Sequence, residues 1–71
     1  MERQYIDSRM ITSIGYDSDT CTLEVEFKSN GAIWQYPDFP EYLWYEFVAS
    51  DSKGTFFNQN IRGKFNEFRV G

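Results

Sequence analysis

Between Cys21 and Lys28 the chain alternates without a slip. Cys21, Leu23, Val25 and Phe27 fall on one side, and Thr22, Glu24, Glu26 and Lys28 on the other. A period of two is the signature of a β-strand with one covered and one wet face. A helix would scatter the same apolar residues around its circumference. Ser29-Asn30-Gly31 follows, and Asn-Gly between two apolar runs marks a hairpin, because both residues accept positive φ. Ala32 to Tyr36 then reads as the returning strand, with Ala32, Trp34 and Tyr36 on one face and Ile33 and Gln35 on the other. Pro37 ends it, having no N–H for a ladder. An antiparallel sheet therefore lies at the centre of the fold.

Upstream, Ile11 to Asp17 suits a first strand, in which Gly15 marks a bulge or a close approach by another backbone or ring. Asp17 to Thr20 has turn chemistry. Residues 1–9 are mixed and polar and are expected to be a loose lead-in. Downstream, Pro40 suits the first position of a helix. Its packing stripe is Pro40, Leu43, Trp44, Phe47 and Val48, with Glu41, Tyr42, Tyr45, Glu46 and Ala49 opposite. Ser50 to Gly54 breaks the pattern. A short second helix follows, with Ser52 as N-cap and Phe57, Ile61 and Phe65 at four-residue spacing; Gly63 ends it and leaves an extended tail to Val70. The expected fold class is α+β, as a single domain over residues 1–71. It comprises a three-stranded antiparallel meander, a helix packed on one face, a short second helix and an extended C-terminal tail.

Composition narrows the chemistry. The chain has 71 residues, no His and one Cys. That excludes a His-based triad, a Cys/His zinc site and a disulfide framework. Cys21, in its alternating run, is read as a small core residue. No run approaches a membrane span, and the N-terminus lacks the apolar stretch of a signal peptide, so the expected location is cytoplasmic. The net charge of −4 is unevenly spread. Residues 1–52 carry −7, whereas Lys53, Arg62, Lys64 and Arg69 against Glu67 give +3 over 53–71. Aromatic residues make up 20% of the chain, a large share for a domain of this size.

Several short motifs stand in order: Ser13-Ile14-Gly15-Tyr16-Asp17, then Gly31-Ala32-Ile33-Trp34-Gln35-Tyr36, Phe39-Pro40, Ser52-Lys53-Gly54-Thr55-Phe56-Phe57-Asn58, and Ile61-Arg62. In order and spacing they resemble the KTSC domain, over about residues 8–68. This module is named for the C-terminus of some lysyl-tRNA synthetases and also occurs alone in small bacterial and phage proteins. The chain resembles the stand-alone form. The family's central Tyr-x-Tyr reads Trp34-Gln35-Tyr36 here, which keeps a flat ring but exchanges a hydroxyl for an indole N–H. Phe39-Pro40 stands in place of the usual Val-Pro. The resemblance suggests RNA binding, by the family's place in a tRNA synthetase.

Two readings of the central motif stand side by side. Trp34 and Tyr36 on an open face would stack bases, with Arg62, Lys64 and Arg69 contacting phosphates in a weak, salt-dependent manner. On the covered face they would instead pack on Trp44 and Phe47. Asn58 offers an amide to a base edge, or else bridges backbone between helix and sheet. Tyr42 and Tyr45 lie opposite the packing stripe and suit a homodimer or protein partner, which makes a self-association or protein-interaction module the alternative function. Asp17 with Asp19, and Glu24 with Glu26, are paired carboxylates of the kind used for acid–base work or Mg²⁺. Asp-Ser-Asp is equally an ordinary turn, and alternating Glu an ordinary wet face. No phosphate loop, nucleophile elbow or metal-ligand spacing occurs. The expectation is no enzyme, no cofactor, no metal and no membrane contact.

Overall fold

In the computed structural model, which describes residues 1–71, alternation does what the sequence demands at the centre. Strands β1 (Arg3–Tyr5), β2 (Ile11–Asp17), β3 (Thr22–Phe27), β4 (Ile33–Tyr36) and β5 (Phe68–Arg69) form one antiparallel sheet in chain order. Helices α1 (Glu41–Ala49) and α2 (Lys53–Asn60) are inserted between β4 and β5. No helix is long and apolar enough to cross a membrane.

The register sorts the side chains. Ile14 pairs with Val25, Tyr16 with Leu23, and Trp34 and Tyr36 with Val25 and Leu23 on the far side. These residues share one face, and the helices cover it. Ile11, Ile14, Leu23, Val25, Phe39 and Phe47 are fully buried there. Rings do most of the filling. Phe57 of α2 meets Phe27 and Tyr36 edge-on at 5.3 and 5.7 Å. Trp44 of α1 stacks on Tyr16 at 5.6 Å, and Phe56 stacks on Phe47 at 5.3 Å. Such pairs add about 0.5–1.5 kcal/mol each beyond the area they bury. The Tyr16 hydroxyl donates to the carbonyl of Phe39. Burial first, and then the Cys21 side chain, push its pKa up to about 12.

The packing stripe of α1 is as expected: Phe47 is buried, Leu43, Trp44 and Val48 are half-buried, and Tyr42 and Tyr45 are exposed. Pro40 is the N-cap, with φ −68° and ψ 141°, rather than the first helical residue. Ser52 caps α2 by accepting from the Thr55 N–H. This helix is shorter than the spacing of Phe57, Ile61 and Phe65 predicts, because it ends at Asn60 and the chain turns through Gly63 at φ +73°.

Five further expectations are corrected. The meander has five strands, not three. The supposed loose lead-in contains β1, which pairs with β2 over Arg3–Tyr5. The supposed tail contains β5, which pairs with β4 through Trp34↔Arg69 and Gln35↔Phe68. Both added strands are too short to show a period. Cys21 is exposed rather than core, since the turn extends through it at φ +53° and breaks the alternation. At the β3–β4 hairpin only Gly31 takes positive φ, while the Asn30 side chain accepts from the Ala32 N–H.

The face away from the helices is not simply wet. Glu24 is buried, held by Arg3 and by the Gln35 amide at 2.8 Å. Arg3 also donates to Ser13, whose hydroxyl donates to Glu26 at 2.8 Å. A polar network therefore knits β1 to β4 across the outer surface. Burial raises the Glu24 pKa, but the hydrogen bonds from Gln35 and Arg3, with the Arg3 charge, outweigh it and hold the carboxyl below its ordinary value.

Candidate functional site

A cavity of about 540 Å³ opens between the β3–β4 hairpin, the end of α2 and the turn that leads into β5. Strand β4 supplies Trp34 and Tyr36, at the two-residue spacing that puts both on the helix side of the sheet. Trp34 is half-buried and forms a wall. Tyr36 is only 2% exposed, and its ring is locked against Phe57. The turn after α2 brings in Arg62, Phe65 and Glu67, of which the two charged residues are exposed at the rim.

The Tyr36 hydroxyl takes no protein hydrogen-bond partner, and it is not sealed from solvent. Burial drives its pKa well above the ordinary phenol range. The Glu67 carboxylate adds to the rise and the Arg62 guanidinium opposes it, so both charges act on this hydroxyl. At neutral pH the group is a neutral donor facing an aromatic-walled space. Arg62 and Glu67 are themselves free of ion pairs, since Arg3–Glu24 is the one salt bridge in the protein. The arrangement can hold a flat ring against Trp34 while offering it donors and acceptors from the floor and rim.

The residues singled out in the sequence are only partly brought together. Trp34, Tyr36 and Arg62 share this cavity, and Arg69 lies beside it as the register partner of Trp34 on β5. Tyr36 is a core ring with a polar tip, not an exposed stacking platform. Its packing partner is Phe57 of α2 rather than Trp44 or Phe47, because Tyr16 occupies the ring of Trp44. Lys64 is exposed and does not line the cavity. Asn58 is separated from it, facing a polar cleft with Ser8, Arg9, Lys53 and Asp51. Tyr42 and Tyr45 stand outward on α1, 66% and 62% exposed. Tyr45 only reaches Glu41, at 3.5 Å.

Three of the four paired carboxylates, those of Asp17, Glu24 and Glu26, have structural partners. Asp17 accepts from the Asp19 N–H in the turn, and Glu24 and Glu26 belong to the outer-face network. Sequence reasoning missed Glu67 as a site residue, although it is the sole acid of the basic segment 53–71. That isolation was the available signal. Phe27, Met10 and Asn30, which complete the walls, carried none, because proximity to the cavity arises only when the hairpin folds back towards α2.

Fold and site together define a small α+β domain with a ring-lined cavity at one edge of its sheet. Residues 7–65 match the model of the KTSC domain, and the chain belongs to that family. A protein of Stutzerimonas stutzeri strain A1501 is 39% identical over 59 residues, which span 83% of this chain and 82% of the relative. The crystal structure of a KTSC domain protein from Yersinia pestis superposes with a TM-score of 0.94 at 41% identity. It covers 99% of this chain and 97% of its own. The family match stops short of Glu67 and of both outer strands, β1 and β5.

Proposed function

We propose that this chain is a non-enzymatic binding module that receives a base of single-stranded RNA in the cavity beside Trp34. The observation that carries the reading is the pairing of a half-exposed Trp34 ring with an unpartnered Tyr36 hydroxyl in one space, with Arg62 at its mouth. A base stacked on an aromatic ring is worth about 1–3 kcal/mol. The hydroxyl and rim supply polar contacts, and Arg62 and Arg69 supply charge for the backbone. The module is a weak binder, because a net charge of −4 opposes a polyanion everywhere except the segment 53–71. A single free cysteine suits the reducing cytoplasm as its compartment.

Short single-stranded RNA titrated into isotope-labelled protein tests the reading. The Trp34 indole N–H and the amides of residues 62–69 shift, and affinity falls steeply as salt rises. Unmoved signals at those positions would refute it.

Self-association is the second reading, favoured by the exposure of Tyr42 and Tyr45 on one helix. Light scattering over a concentration series decides it. A mass of 8.4 kDa at every concentration removes it.

A further inference from the structure

We propose that the cavity selects guanine among the bases, an inference that rests on the RNA reading and sharpens it. The rim holds one group that only accepts, the Glu67 carboxylate, and one that only donates, the Arg62 guanidinium. Neither is spent on an ion pair within the protein. Both line the same cavity as Trp34 and Tyr36, and so stand around the space that a stacked ring would fill.

Guanine presents two neighbouring donors, N1–H and the N2 amino group, and two acceptors, O6 and N7. A carboxylate can take both donors at once, and a guanidinium serves the acceptors. The other bases fit poorly. Adenine sets the bare lone pair of N1 beside its amino group. Uracil flanks its one donor with two carbonyl oxygens, and cytosine has an amino group next to an acceptor nitrogen. Each would turn a lone pair towards Glu67, which replaces the second hydrogen bond by repulsion between two acceptors. A cavity of about 540 Å³ accommodates a bicyclic base. Phe65, half-buried on the turn between Arg62 and Glu67, adds a second ring.

The test titrates the pentanucleotides UUGUU, UUAUU, UUCUU and UUUUU into the labelled protein and follows the Trp34 indole N–H, with guanosine monophosphate alongside. UUGUU binds at least about tenfold more tightly than the other three. Glu67→Gln, at an exposed position and with an unchanged melting temperature, reduces that preference to about twofold or less. Equal binding of all four strands overturns guanine selection and leaves the RNA reading intact. A guanine preference that survives Glu67→Gln overturns the role of Glu67. Guanosine monophosphate binding as tightly as UUGUU supports the guanine pocket but overturns an RNA strand as the source of the base. No response to any ligand overturns both readings.

Discussion

Arg3 on β1 reaches over the bare backbone of Gly15 on β2 to pair with Glu24 on β3. The register places Gly15 opposite both residues. A Cβ at Gly15 would collide with the backbone oxygen of Glu2 and lie 3.0 Å from Arg3 Cγ. Gly15 is thus the gap through which the outer network closes. Gly15→Ala is expected to loosen β1 at a cost of about 1–3 kcal/mol, the usual range for overpacking. Amide exchange in Arg3–Tyr5 should speed up markedly while β3 and β4 stay protected. Unchanged exchange in β1 would show that the strand does not depend on this gap.

The same network makes stability depend on pH. Folding lowers the Glu24 pKa from an ordinary value of 4.5. Its contribution is therefore complete above about 4.5 and is lost as pH falls through the lower folded value. Urea midpoints should drop between neutral pH and about pH 3.5. Arg3→Met should cost about 1–3 kcal/mol at neutral pH and show a smaller acid-induced drop. An equal drop in the two proteins would assign the acid sensitivity to other carboxylates.

Tyr36→Phe separates architecture from binding. The ring packs on Phe57 and the hydroxyl bonds to no protein group. Stability should change by less than about 0.5 kcal/mol, whereas RNA affinity should fall several-fold, as one lost hydrogen bond implies. Calorimetry and the titration above read the two effects independently. A large loss of stability would mean that the hydroxyl serves the fold instead.

Ser52 tests the start of α2, which positions Phe57 beneath the cavity. Ser52→Ala removes the cap on the Thr55 N–H and should cost about 1 kcal/mol, while Ser52→Gly should cost only a few tenths. Thermal unfolding of the two variants compares them directly. Equal effects would show that the hydroxyl contributes little.

What the sequence revealed follows from the length of each pattern. The long alternation of β3, the stripe of α1 and the cap at Ser52 each repeat enough local information to be read without tertiary context. Arg3–Tyr5 and Phe68–Arg69 do not, because strands of three and two residues have no measurable period and exist only through their neighbours. Glu24 was misread for a related reason. Alternation assigns it correctly to the outer face, but only the unexpected β1 delivers the arginine that covers it. At the site, Trp34, Tyr36 and Arg62 were legible as candidates. The depth of Tyr36 and the inclusion of Glu67 were not, since both depend on where the turn after α2 comes to rest.

The insertion of both helices between β4 and β5 has a consequence for the order of assembly. Strands β1 to β4 are joined by short local turns, whereas the β4–β5 pairing must close a loop containing every helical residue. Loop closure of that kind costs chain entropy before it returns any contact. On a chain emerging from the ribosome, the sheet can form while Arg62 and Glu67 are still absent from its edge. The mouth of the cavity is then the part that assembles late, once the loop through both helices has closed and set the turn after α2 in place.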